Sequence, residues 1–328
     1  MRRTPPSVLV VVLAVIALLV AACKPSDAGG FVVQTQAPAG SDAGVSGDTG
    51  GAGSGAPSSA TLIPVVISSQ LAVGENRLVF SFLDPKTQQP VGSPDLAASV
   101  SFIAPGTTNP TPAVPGTFIW AIQSTRGEYI AHATFASAGD WKAIFVVQPK
   151  GGQQQAIGVP FTVLLKPTVI SVGDHAPASR TPVLSDVGGD VRQISTDTNP
   201  DPNFYQVSVD QALARHTPFI LIFATPAFCR SAQCGPTLDM VKSARATAPS
   251  SVAFINVEPY ILKYTDGRLQ PVLDGSGNLQ PTDVSNAWGL PTEPWIFAVD
   301  RNGIVQGSYE GVISQQELGD IIAKIAAS

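Results

Sequence analysis

Histidine and cysteine are scarce in this chain, three of each in 328 residues, and no histidine follows His216. His132, His175 and His216 are scattered and read as surface or strand residues, so no metal site is expected. Charge is scarce as well: 13% of residues are Asp, Glu, Lys or Arg, the net charge is −5, and there is no basic run. That absence argues against a nucleic-acid partner, which needs a basic stripe to meet the phosphate charge. Glycine and proline are plentiful at 30 and 29, while 44% hydrophobic residues leave enough apolar surface for proper cores. The mixture predicts strands, turns and linkers rather than long solvated helices, and the length suggests about two domains.

The N-terminus carries a positive start, Arg2 and Arg3, then an apolar run from Val8 to Ala22 that stops at Cys23. At about 15 residues the run is short for a bilayer span, which needs about 20, but it suits a signal-peptide core. Val20-Ala21-Ala22-Cys23 resembles the bacterial lipobox, which is cleaved before its cysteine. The resemblance implies a signal peptide over 1–22, a lipid on Cys23, and an extracytoplasmic protein anchored to the bacterial cell membrane. An uncleaved signal anchor is the alternative, and it too leaves the remainder facing outward. Lipidation removes Cys23 from thiol chemistry. Cys229 and Cys234 are then the remaining thiols, close neighbours in an oxidising compartment, and a disulfide between them is the default expectation.

Residues 23–60 are mostly Gly, Ala, Ser and Asp and cannot bury enough surface to offset their ordering entropy. They predict a flexible tether. Residues 61–168 read as about seven strands separated by turn signals, among them Asn76 to Leu83, Tyr129 to Phe135 and Trp141 to Val147. No helical period interrupts them, which predicts an all-β sandwich. The stretch from Gly127 to Trp141 resembles small immunoglobulin-like modules of bacterial surface and copper-handling proteins. Trp120, Trp141 and the phenylalanines read as core. Residues 169–202, rich in Pro, Asp, Thr and Gly, read as a connector.

Over 203–328 the pattern changes. A buried strand, Phe219 to Phe223, precedes the cysteines, and a helix from Thr237 to Ala246 follows them. A strand from Ser251 to Val257 comes next, and this strand–helix–strand order implies parallel pairing through a right-handed crossover. After a long insertion from Glu258 to Asn286, two strands flank Asn302-Gly303, a hairpin signal. Leu318, Ile321, Ile322 and Ile325 then share one face of a closing helix. Glu258 could serve proton transfer to a buried thiol, but it reads more simply as a solvated turn residue.

Two segments carry a family resemblance. Phe223-Ala224-Thr225-Pro226-Ala227-Phe228-Cys229 resembles the strand end that delivers the reactive cysteine in the thioredoxin superfamily. Trp288-Gly289-Leu290-Pro291-Thr292-Glu293-Pro294-Trp295 resembles the segment of extracytoplasmic thiol–disulfide oxidoreductases that carries a cis-proline, with Pro294 at the matching position. The resemblance implies an α/β thioredoxin-like fold after the immunoglobulin-like sandwich. It also implies Cys229, Cys234 and Pro294 as catalytic residues, and protein thiols or disulfides as partners. In that family the cis-proline keeps metals from the sulfurs and presents backbone to a substrate segment.

One departure from the family is physical. Thioredoxins place two residues between the cysteines, and here there are four. Five residues of ideal helix rise about 7.5 Å and rotate about 140°, which no disulfide spans, because its Cα atoms lie about 4.4–6.8 Å apart. One cysteine must lie outside the helix. Pro236, tolerated only in a first turn, puts the helix start near Gly235 or Pro236, with Cys234 at its mouth and Cys229 in the preceding loop. Which sulfur attacks stays open: the superfamily position favours Cys229, and the helix dipole favours Cys234.

The resulting expectation is an anchored thiol–disulfide oxidoreductase, whose exchange chemistry needs no dissociable cofactor. Two alternatives stand beside it: a non-catalytic binding lipoprotein with a structural disulfide, and a copper chaperone of the Sco type. The copper reading lacks that family's later histidine and its three-residue cysteine spacing. A peroxiredoxin reading fails because Ile222 and Pro226 occupy its proline and threonine positions.

Overall fold

The structure, a computed structural model, describes residues 62–328. The expected signal peptide, the lipidation site Cys23 and the tether lie outside the described residues. Among those described, no helix is long and apolar enough to cross a membrane.

The first eight strands form two antiparallel sheets. One holds β1 (Ile63–Val66), β2 (Gly74–Leu83), β5 (Thr117–Ile122) and β6 (Arg126–Phe135), in the order β1-β2-β6-β5. The other holds β3 (Leu96–Ile103), β4 (Val114–Pro115), β7 (Gly139–Pro149) and β8 (Gln155–Val163), in the order β4-β3-β7-β8. Alternation along β7 sends Trp141, Ala143, Phe145 and Val147 inward. There they meet Phe80 and Phe82 of β2 and Tyr129 and Phe135 of β6. Phe80 sits at the centre, 5.0 Å from the Phe145 ring and 5.4 Å from Tyr129, centroid to centroid. Burying each such ring contributes about 1.5–3 kcal/mol.

In β2 the alternation gives way, and Leu78 through Phe82 are all buried. The cause is that the β1-β2-β6-β5 sheet is covered on both faces, a setting that selects continuous apolar runs. Leu78, Phe80 and Phe82 face the sandwich core, whereas Val79 packs with Ala121 against Val312 near the C-terminus. Polar groups fasten the same contact. Arg77 pairs with Glu317 at 2.8 Å and donates to the Val312 carbonyl at 2.8 Å, and the Ser69 N–H donates to Glu310 at 2.7 Å.

The C-terminal part is built on a sheet of β9 (Phe219–Phe223), β10 (Ala253–Val257), β13 (Trp295–Val299) and β14 (Val305–Glu310), in the order β10-β9-β13-β14. Helices α2 (Cys234–Arg245) and α4 (Gln315–Ala327) pack on one face against Ile220, Ile222, Ile296 and Ala298. Against the other face, with Phe219, Leu221, Phe223 and Phe297, lie Val209 and Ala212 of α1 (Val209–Ala214) and Trp288, which follows α3 (Asp283–Ala287). β9 and β13 are therefore buried at every position. The insertion between β10 and β13 carries the hairpin β11 (Leu262–Thr265) and β12 (Arg268–Pro271). Its two-residue turn is Asp266-Gly267, both at positive φ, as a primed turn demands. Asn302-Gly303 turns the chain differently: only Gly303 has positive φ, and the Asp300 carboxylate accepts from the Asn302 and Ile304 N–H groups.

The expected fold class needs correction. Fourteen strands in four sheets dominate the described residues, and 18% of them are helical, with four α-helices. The described residues are mostly β-sheet in architecture, and an α/β thioredoxin-like domain following an immunoglobulin-like sandwich is not shown. The expectation rests on a strand–helix–strand unit followed by two strands and a closing helix, together with two motif segments that resemble the thioredoxin superfamily. Among the described strands β9 and β10 are the one parallel pair, β13 and β14 add antiparallel, and the insertion supplies another hairpin. The segment read as a connector also packs closely: Val169 is buried in the C-terminal core, and the Gly173 N–H donates to Val305.

Candidate functional site

The buried strand β9 ends at Phe223, and the chain turns through Thr225, whose carbonyl accepts from the Phe228 N–H at 3.1 Å. Cys229 lies in the loop that follows and Cys234 is the first residue of α2, so Pro236 falls in the first turn, where its missing N–H leaves nothing unpaired. The two cysteines form a disulfide with a Cα separation of 6.0 Å, inside the range of about 4.4–6.8 Å that such bonds require. Ala232, at positive φ, bends the loop back onto the helix mouth.

Helix α2 has no side-chain cap. The Cys229 sulfur takes part of that role, accepting from the Cys234 N–H at 3.2 Å. The residue outside the helix thus places its sulfur at the positive end of the helix dipole. Exposure separates the two: Cys234 is 0% exposed, whereas Cys229 is half-buried. Of the two cysteines, Cys229 is the one with surface exposed to solvent.

Across from the disulfide, the Glu293–Pro294 peptide bond is cis. The Glu293 side chain is 7% exposed, and its carboxylate accepts from the Arg230 N–H at 2.9 Å and from the Tyr260 hydroxyl. A carboxylate oxygen of Glu293 and the two sulfurs lie within 4.8 Å of one another. Burial, then the Glu293 hydrogen bond and charge, push the Tyr260 hydroxyl well above its ordinary range. The sequence drew attention to Pro294, while the residue beside it holds the chemistry-bearing side chain.

The sandwich reaches this loop. Arg126 and Glu128 stand on the same face of β6, two residues apart. Arg126 donates to the Ser231 carbonyl at 3.0 Å, and Glu128 accepts from the Gln233 amide at 2.6 Å. The two charges pair with each other at 3.1 Å. Between them Gly127 faces the other way, against Gly92, where a Cβ would meet the Gly92 carbonyl oxygen at 2.3 Å. Glu128 is 0% exposed, and desolvation raises its carboxyl pKa against the opposing charge of Arg126. Sequence reading missed both residues. The available signal was an acid amid the apolar residues of a strand, which only a partner from elsewhere in the fold can satisfy.

Glu258 follows β10 one residue beyond the Val257–Phe223 pair of the parallel register, with its side chain beside Thr225. One carboxylate oxygen accepts from the Thr196 N–H at 2.6 Å, and the other is buried with no hydrogen-bond partner among the described residues. Desolvation pushes its pKa up to about 7, opposed by Thr225 and Thr196 beside it. A solvated turn residue is therefore not what stands here. Through Thr196, whose hydroxyl accepts from the Ala227 N–H at 3.3 Å, Glu258 supports the loop two residues before Cys229. The three histidines lie apart from this site: His132 is exposed on β6, His175 bridges to Ile304, and His216 contacts the Arg301 carbonyl.

No family model matches the sequence, and no curated protein matches it. Solved structures that it resembles include a DUF4426 family protein from Pseudomonas aeruginosa PAO1, at 12% identity and a TM-score of 0.22. That match covers 28% of this chain and 76% of the other. MtrC from Shewanella baltica OS185 matches at 13% identity and a TM-score of 0.23, over 58% of this chain and 34% of that one. Likeness this slight carries no argument about fold or activity, so any functional reading rests on the site.

Two outcomes are expected. Glu128→Ala leaves Gln233 and Arg126 without their buried acceptor and should destabilise the protein by about 3–5 kcal/mol, measured by denaturant unfolding. The double change Arg126→Met, Glu128→Leu should cost clearly less, because it removes both buried charges. For Glu258 the folded-state pKa is raised from 4.5 to about 7. Its stabilising contribution is therefore complete below pH 4.5 and is lost as pH rises through about 7. Unfolding free energies across that window should fall with pH in the native chain and stay flatter in Glu258→Gln.

Proposed function

We propose that the chain is an extracytoplasmic thiol–disulfide oxidoreductase, held at the bacterial membrane by lipidated Cys23, that exchanges Cys229–Cys234 with protein thiols or disulfides. The observation that carries this reading is the asymmetry of the pair. One cysteine is half-buried with its sulfur held by an N–H at a helix N-terminus, and the other is fully buried. Helix N-termini and nearby arginines favour thiolates, and Arg230 adjoins Cys229 in sequence. The resemblance of the two motif segments to thiol–disulfide oxidoreductases points the same way.

In the reducing direction the Cys229 thiolate attacks one sulfur of a partner disulfide, and the partner's other sulfur leaves as a thiolate. The Cys234 thiolate then attacks the Cys229 sulfur. The bond to the partner breaks, the partner departs with its second thiolate, and Cys229–Cys234 is re-formed. Two electrons pass from this chain to the partner. The reverse sequence oxidises a partner dithiol, and relative potentials set the direction. A second reading, a binding lipoprotein with a structural staple, draws on the clamp that Arg126 and Glu128 place on the loop.

Equilibration of the full-length chain with glutathione or dithiothreitol separates the two readings. An exchanging pair should have a potential between about −120 and −270 mV, and a value below about −300 mV would mark a staple. Cys234→Ser should accumulate a mixed disulfide with partner proteins in cells, while Cys229→Ser should trap none. The reverse pattern would move the attack to Cys234.

A further inference from the structure

The grouping of Glu293 with the two sulfurs is not needed for thiol–disulfide exchange, and it has a chemistry of its own. We propose that the reduced protein binds a thiophilic divalent cation, of the Zn2+ type, through Cys229, Cys234 and Glu293.

Two thiolates and a carboxylate form a donor set suited to a borderline-soft ion, with Zn–S bonds of about 2.3 Å and Zn–O bonds of about 2.0–2.2 Å. Around a tetrahedral ion such donors stand roughly 3.5–3.8 Å from one another. The three ligand atoms already lie within 4.8 Å of one another, so the main change required is that the sulfurs separate when the disulfide is reduced. Three protein ligands leave a fourth position open, and the half-buried Cys229 gives an ion its way in.

The carboxylate is also held in place. The Arg230 N–H and the Tyr260 hydroxyl each donate to it, the kind of outer contact that orients a metal-binding oxygen. The helix N-terminus opposes a cation, yet it favours both thiolates in their deprotonated form, and their two negative charges exceed its fractional positive one. The motif resemblance implies that Pro294 keeps metals away. Against it stands the oxygen donor supplied by the residue immediately before that proline.

The chemistry balances without an oxidant. A dithiol reductant converts the disulfide to two thiols and is itself oxidised to a disulfide. Zn2+ then displaces one proton from each thiol, forming two Zn–S bonds and releasing two protons. Metal-loaded and disulfide-bonded forms therefore exclude each other. This inference does not rest on the exchange activity: an inert staple, once reduced, would offer the same three donors.

The test uses the full-length chain, reduced with a phosphine, after a thiol count has verified the dithiol. Zn2+ is titrated in competition with a chromophoric chelator, and Co2+ serves as a spectroscopic probe of thiolate ligation. One ion per reduced chain and none per oxidised chain is the expected result. Glu293→Gln should weaken binding at least tenfold, and Tyr260→Phe, which keeps all three donors, should weaken it less. A verified dithiol that takes no Zn2+ overturns the proposal and leaves Pro294 as the barrier. Equal affinity in Glu293→Gln, or Cu+ binding by the sulfurs alone with no Zn2+ uptake, overturns it as well. The native oxidised and reduced forms are compared without any substitution, so a variant that misfolds does not decide the matter.

Discussion

A carboxylate sealed from water must be partnered, and Glu128 is such a group. Its partners come from two places: Arg126 on its own strand and Gln233 at the mouth of α2. Neither the sandwich nor the cysteine loop can shift without breaking a short, buried, charge-assisted contact. The sandwich is therefore structural material of the site. It fixes the loop carrying Cys229, Ser231 and Gln233, while the Arg77–Glu317 pair fastens the same sheet to α4. Glu317 does double duty, since it also accepts from the Ser314 N–H in the capping box of α4.

The loop so fixed solves a geometric problem posed by its own spacing. Cysteines five residues apart cannot bond within one helix, so the chain starts the helix at the second and folds the first back over its mouth. Because no side chain caps α2, the Cys229 sulfur meets an N–H that would otherwise be unpaired. The constraint that forced Cys229 out of the helix thus brought its sulfur into the helix field. The cysteine that the motif resemblance favours is thus also the one whose sulfur meets the helix mouth.

What the sequence revealed and what it hid divide along a physical line. The strands around Phe80, Tyr129 and Phe145, the pairing of the cysteines, and the helix beginning near Pro236 are written in local pattern: alternation, spacing and the fixed φ of proline. Arg126, Glu128, Glu258 and Glu293 were passed over or misread, because each owes its state to a partner far along the chain. Glu258 looks like a turn acid until β10 is known to lie beside β9, which buries it against Thr225 and Thr196. The fold class went wrong for a related reason. Period and length identify a strand–helix–strand unit, but they do not weigh one parallel pair against the antiparallel strands and hairpins around it.

Three acids surround one disulfide or its loop, and their environments differ in a way that sorts their work. Glu128 is neutralised by an adjacent guanidinium and is committed to structure. Glu258 has no cation among its named partners, and burial alone dominates its titration, so its charge answers to pH. Glu293 accepts from a backbone N–H and a phenol, and one of its carboxylate oxygens stands beside the sulfurs. A carboxylate in that position works against a thiolate and for a cation. Reduction of the pair therefore concentrates negative charge at one point, and the protein must relieve it by keeping a proton, by releasing the thiolate to a partner, or by taking a metal ion. The exchange and the metal binding proposed above would be two answers to one electrostatic demand, to which Glu293 and the cysteines both contribute.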